Sequence, residues 1–161
     1  MNTPEVEIRS YRPEDAEALA DIYRESVRTL GQSAYSEAHL EAWAKHPDDI
    51  ETFRESLGRG VTLCAVVDDI PVAFAQLEPM NHVALTYCAS AYARQGLMSR
   101  LYRLLEADAL HAGIERLHTE ASFIGRPFFE RMGFEIVELE QVERHGVIFD
   151  RYRMTKSIRI K

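Results

Sequence analysis

A chain of 161 residues can bury about two thirds of the surface its unfolded form exposes, so a hydrophobic core is available without metals or disulfides. A composition of 46% hydrophobic and 28% charged residues excludes a disordered or low-complexity protein. Nineteen basic against 26 acidic residues, a formal charge of -7, argue against a general nucleic-acid binder, whose affinity rests on neutralising phosphates.

The amino-terminal "MNTPEVEIRSYRPED" has neither the basic start nor the apolar stretch of a signal peptide. No apolar run approaches the ~18 residues of a membrane span. Cys64 and Cys88 both lie in apolar runs that suit buried, reduced thiols. A cytoplasmic protein without a membrane partner is expected.

"VEIRSY" alternates like an edge or half-buried strand, and Pro13 with the acids of "RPED" suits a helix start. A helix from about Pro13 to Thr29 follows, with Ala16, Leu19, Ala20, Ile22, Tyr23 and Val27 on one face and Gly31 at its end. Ser36 is a natural amino cap for a second helix carrying Ala38, Leu40, Ala42 and Trp43, closed by Pro47. "DIETFRESLGRG" makes a third, short helix stopped by Gly58 and Gly60. Two β-rich runs around Asp68-Asp69 predict a hairpin, and "HVALTYCA" a further strand. The segment after Gly96 is helical through Leu97, Leu101, Leu104, Leu105 and Ala109, with Gly113 closing it. "IERLHTEAS" is then a strand reached through a strand-helix connection, so it should lie parallel to "HVALTYCA". Pro127 and Gly133 bound a short helix, and two long strands turn at His145-Gly146.

The order β-α-α-α-β-β-β-α-β-α-β-β predicts one α/β domain over residues 1-161. Its mixed, largely antiparallel sheet would hold a single parallel βαβ unit at its centre, flanked by helices. The carboxyl strand pair offers an edge for a homodimer.

No G-x-x-x-x-G-K-[ST] loop occurs, and no G-x-G-x-x-G follows a strand, which removes P-loop and dinucleotide readings. G-x-S-x-G is absent, and so is a serine-hydrolase elbow. The six histidines and two cysteines show no metal-ligand spacing, so no metal is expected. What remains is "YARQGLMSRL", a strand-to-helix junction with one glycine. A helix amino end presents unpaired N–H groups and about half a positive charge, enough to hold a phosphate in an acidic protein. Arg94, Gln95 and Ser99 would add donors around Gly96.

"YARQGLMSRLYRLLEADAL" followed by "HTEASFIGRPFFERMGFEIV" resembles motifs A and B of the GNAT superfamily, the acetyl-CoA-dependent N-acetyltransferases. "FFERMGF" is close to that family's "FYEKxGF". The resemblance extends over almost the whole chain and is strongest to the YafP-like branch.

It implies a GNAT-like fold and acetyl-CoA as cosubstrate. The pyrophosphate would meet Arg94, Gln95, Gly96, Leu97, Met98 and Ser99, and the pantetheine arm would pair with the backbone of Tyr87, Cys88 and Ala89. The family loop [Q/R]-x-x-G-x-[G/A] keeps Gly96 here but has Ala93 and Met98 at its outer positions. Where many members carry an asparagine and a tyrosine at the cofactor sulfur, this chain has Ser122 and Phe129, so the usual acid is missing. Other hydroxyls or water would have to supply the proton, with Tyr152 and Tyr87 as the candidate side chains.

His82, where members often place a glutamate, is the candidate base, with Glu78 and Glu120 as alternatives. Tyr35 and Trp43, with His39 and Phe53, would line the site of the acceptor, a small-molecule or peptide amine. The rival expectation is a catalytically idle acyl-CoA-binding or sensing module, and a weaker one is a structural domain with an empty loop.

Overall fold

A computed structural model describes residues 5–159. Strand β1 (Glu7–Ser10) leads through a 3-10 turn (Pro13–Asp15) into helix α1 (Ala16–Leu30). Helices α2 (Glu37–Ala44) and α3 (Ile50–Leu57) follow, then strands β2 (Val61–Val67), β3 (Ile70–Leu77) and β4 (Val83–Cys88). Helix α4 (Leu97–His111), strand β5 (Arg116–Ala121), helix α5 (Arg126–Arg131) and strands β6 (Glu135–Arg144) and β7 (Val147–Ser157) complete the order.

Local chemistry accounts for the boundaries. The Ser36 hydroxyl accepts the His39 N–H at the start of α2, and the Asp49 carboxylate does the same for Thr52 at the start of α3. Asp68 and Asp69, at φ 50° and 64°, turn the β2–β3 hairpin, and His145 with Gly146, at 50° and 77°, turn β6–β7. Two consecutive left-handed residues match the twist of the flanking strands.

Strands β1-β2-β3-β4 form one antiparallel sheet and β5-β7-β6 another. The first is covered on both faces, which is why "VTLCAVV" is apolar apart from Thr62, whose hydroxyl donates to Leu57 O, rather than alternating. Cys64, Val66 and Phe74 face α1 and α3, while Ala65, Val67, Ala73 and Ala75 face α4. The alanines let Leu101, Tyr102 and Leu105 of α4 pack against the sheet with at most 1% exposure. β6 pairs only with β7 and leaves Ile136, Val137 and Leu139 exposed.

The strands around α4 run as parallel neighbours, as expected, but meet in a single bridge rather than along a shared ladder. β4 and β5 belong to different sheets and share only the isolated parallel bridge His82–His118. Beyond it β4 stays with β3 and β5 stays with β7, so a continuous parallel ladder does not form. No described helix is long and apolar enough to cross a membrane.

The chain entry to α1 is clamped by Arg9, whose two terminal nitrogens donate to the Asp15 carboxylate at 2.7 and 2.9 Å. Asp15 also accepts the Arg12 N–H at 2.8 Å. The Arg9 hydrogen bonds, opposed by burial, hold the Asp15 carboxyl below its usual range. A depressed folded-state pKa gives stability that is present above about pH 4 and lost as pH falls through the folded value. Arg9→Ala should therefore lower the unfolding free energy by about 2 kcal/mol at neutral pH, because it strands a nearly buried carboxylate. Urea denaturation should show this gap closing on acidification; a pH-independent gap would refute the assignment.

Candidate active site

The site begins where the two sheets part. The His118 N–H donates to Asn81 O at 2.9 Å and the Thr119 hydroxyl to Val83 O at 2.8 Å, joining the strands at their roots. Above this point the strands diverge, and a cavity of about 470 Å³ opens against Thr86, Tyr87, Cys88 and Ser122.

The free edge of β4 can be read from its register. The Ala89 N–H donates to Val72 O at 2.8 Å, and an antiparallel ladder alternates its bonded residues. The amides of Tyr87 and Ala89 therefore point to β3, and those of Thr86 and Cys88 point into the gap. Of the three residues expected to pair with a pantetheine arm, only Cys88 presents its own N–H there. Thr86 joins it, a residue that sequence pattern alone did not single out.

Helix α4 supplies the next wall. Gly96 caps it with φ +81°, a left-handed conformation that glycine adopts without strain. No side chain caps this end, and no acidic residue lies in its first turn. The leading amides of Leu97, Met98 and Ser99 thus keep the positive end of the helix uncovered. Leu97, 5% exposed, anchors the turn in the core, while Arg94 and Gln95 stand exposed beside it. A methyl group added to Gly96 would meet nothing within 4 Å, so there is room for a group to approach the backbone. The loop is held from behind by Glu25, whose carboxylate accepts both the N–H and the hydroxyl of Ser90. Burial raises the Glu25 pKa, but the bonds from Ser90 and Thr29 outweigh it and leave the carboxyl below its ordinary value. An uncapped helix start with open space above it fits a pyrophosphate.

Met98, Phe129 and Ser122 line the same cavity. The Ser122 hydroxyl accepts the Gly125 N–H at 3.0 Å at the turn into α5. Phe129, 4% exposed, packs between Phe128 and Phe134 with both ring centroids at 5.2 Å.

The opposite wall is aromatic. Tyr35 stacks on Phe123 at 5.5 Å and accepts its N–H at 2.9 Å, and Trp43 stands edge-on to Tyr35 at 5.4 Å. Trp43 Nε1 donates to the Tyr87 hydroxyl at 3.1 Å, and burial pushes the Tyr87 pKa up, so that hydroxyl keeps its proton. Phe149 of β7 closes the wall 6.2 Å from Tyr35. His39 reaches Ile148 O with Nε2 at 2.9 Å and ties α2 to β7. Phe53 does not join this wall; at 2% exposure it packs against Tyr23 and His46.

His82 Nδ1 donates to Glu78 O at 2.9 Å, and Nε2 meets Glu120 Oε1 at 3.0 Å. The Glu120 hydrogen bond raises the His82 pKa, and the same bond lowers that of Glu120. An imidazolium facing a carboxylate has both ring nitrogens engaged as donors and no lone pair for a further proton. Glu120 lines the cavity and His82 does not. Tyr152 also stands off the cavity lining, with its ring against Phe123 at 5.8 Å and under the Arg126 guanidinium at 5.2 Å.

A family model for the acetyltransferase (GNAT) domain matches residues 31–156. The chain belongs to the GNAT family of acetyltransferases, enzymes that use acetyl-CoA as cosubstrate. It is 28% identical over 151 residues to the uncharacterized N-acetyltransferase YafP of Escherichia coli K12, covering 92% of this chain and 94% of that protein. A GCN5-related N-acetyltransferase from Rhodopseudomonas palustris, also described as an aminotransferase of class II, superposes with TM-score 0.91. The two are 33% identical, with 98% and 97% of the chains covered. The PaiA N-acetyltransferase of Thermoplasma acidophilum, solved with coenzyme A, shares the fold at TM-score 0.77 and 21% identity, over 95% of this chain and 99% of its own.

Replacing Gly96 by alanine imposes the left-handed penalty of about 1 kcal/mol on the start of α4 without creating a clash. Acetyl-CoA should bind several-fold more weakly to the variant in calorimetry, with a small loss of thermal stability. Unchanged affinity would remove the α4 amides from the cofactor site.

Proposed function

We propose that residues 1-161 act as one domain that moves the acetyl group of acetyl-CoA directly to an amine of a small molecule or peptide. The observation that carries this reading is the cavity between the splayed strands, with the outward amides of Thr86 and Cys88 beside the uncapped start of α4. The pyrophosphate lies on the amides of Gln95 to Ser99, with Arg94 as a cation at the rim. The pantetheine arm runs along β4, and an N–H of Thr86 or Cys88 meets the thioester oxygen as charge develops on it.

Direct transfer is favoured over an acyl-enzyme because burial pushes the Cys88 thiol up to about 11 and the Cys64 thiol up to about 12. Neither offers a thiolate at neutral pH. Both cysteines are unpaired, which suits a reducing, cytoplasmic setting. The amine attacks in its neutral form, and Glu120, positioned by His82, accepts the proton that the nitrogen sheds as its bond to the thioester carbon forms. The Ser122 hydroxyl, whose oxygen caps the α5 turn, retains its proton for a hydrogen bond to the departing sulfur. A thiol of ordinary pKa, about 8.5, leaves as a hydrogen-bonded thiolate without the tyrosine that Phe129 replaces. The aromatic wall of Tyr35, Trp43 and Phe149, with the Glu120 and Asp150 carboxylates, suits a cationic amine on an apolar body.

Phe129 favours one rival reading, an idle acyl-CoA-binding or sensing module. Thiol release above the hydrolysis background in an amine screen would dispose of that reading. For the leading one, calorimetry should detect acetyl-CoA; no binding at millimolar cofactor overturns it. Glu120→Gln should lower kcat about a hundredfold and leave acetyl-CoA affinity unchanged. Equal kcat in the variant would take the proton acceptor away from Glu120.

A further inference from the structure

His118 does no work in the acetyl-transfer reading, yet the fold places it with care. The parallel bridge sets it directly across from His82, and Glu120 follows two residues later on the same face of β5. The imidazole rings stack at 4.7 Å with 21° between their planes. One ligand atom from each of His82, His118 and Glu120 lies within 4.8 Å of the other two. Among the described residues this is the single group of three or more histidine, cysteine or acidic side chains so arranged.

The geometry points to a binding site for one zinc-type divalent ion, held by His82, His118 and Glu120 with water in the fourth position. The His82 Nδ1–H bonded to Glu78 O leaves Nε2 as the coordinating atom, the arrangement in which a backbone carbonyl orients a metal-bound imidazole. Two imidazoles and one carboxylate favour zinc, nickel or copper over magnesium or calcium, which prefer oxygen. Tetrahedral ligation brings the donor atoms to about 3.3 Å apart. His118 is exposed, so its ring is free to turn inward while the bridge keeps its backbone in place. The ion takes the place of the proton now shared between His82 and Glu120. Neighbouring positive charge is already matched: Arg151 pairs with Glu140 at 2.7 Å and Arg153 with Glu138 at 2.9 Å.

Sequence spacing hides this site. His82 and His118 are separated by the whole of α4, and only the bridge brings them together. One consequence rests on Glu120 being the proton acceptor: a bound ion occupies that carboxylate, so zinc and acetyl transfer exclude one another.

The test is calorimetric titration of the metal-free full chain with Zn²⁺ near neutral pH, without acetyl-CoA. One equivalent should bind. His118→Ala and Glu120→Gln should each lose at least about tenfold in affinity, the cost of a disturbed metal shell, while His111→Ala, at the exposed end of α4, should not. Co²⁺ in place of zinc should give the visible absorption of a four-coordinate ion in the wild type and not in His118→Ala. Absence of binding, or equal affinity in the wild type and His118→Ala, overturns the site. If zinc binds through His118 but leaves transfer untouched, the metal site stands and the role of Glu120 as proton acceptor fails.

Discussion

A single parallel bridge, with the His118 N–H on Asn81 O and the Thr119 hydroxyl on Val83 O, joins two sheets that otherwise have separate partners. Were β4 and β5 paired along their length, the amides of Thr86 and Cys88 would be spent on a ladder and no cavity would exist. Were they not joined at all, Glu120 would have no fixed distance from β4. The bridge makes the opening a hinge point of fixed geometry. Unsatisfied backbone groups in the gap are tolerated because water or a ligand reaches them.

An acidic protein that binds a polyanion needs local rather than net charge. The start of α4 supplies it through backbone amides, and the lack of any acid in the first turn keeps it positive. The Glu25 carboxylate is turned to Ser90 and fastens the loop from behind. The same separation of charge recurs across the cleft, where His82 offsets Glu120 and the two pKa values move apart. Charge is assigned to positions, and the total of -7 is compatible with an anionic cosubstrate.

Elements with strong local signals were legible in the chain. The cap at Ser36, the turns at Asp68-Asp69 and His145-Gly146, and the periodicity after Gly96 each depend on neighbours within a few residues. The family was legible in "FFERMGF" and the Gly96 junction, and the match over residues 31–156 agrees. The splay of β4 from β5 was not, because strand pairing is decided by which partner each edge finds, and apolar runs carry no register. The difference between His82 and Glu120 was equally hidden. Both are titratable residues near a strand, and only a 3.0 Å contact and the cavity lining, which includes Glu120 and not His82, tell them apart. Trp43 and Tyr35 lie on the cavity, whereas Phe53 looks the same in sequence and is buried elsewhere.

The contact between His39 and Ile148 joins positions 109 residues apart. Tyr35 reaches Phe123 across a separation of 88. The aromatic side of the cleft is therefore built from the longer-range closures, while the α4 side rests on one strand, one turn, the helix that follows and the Glu25–Ser90 tie over 65 residues. Loop-closure entropy opposes distant contacts until the rest of the chain has collapsed. By that measure the aromatic wall, closed by the docking of the carboxyl hairpin on α2, carries the larger entropic cost. The two walls of one cleft thus differ in what holds them, long-range closure on the aromatic side and local turn geometry with the Glu25 tie on the other.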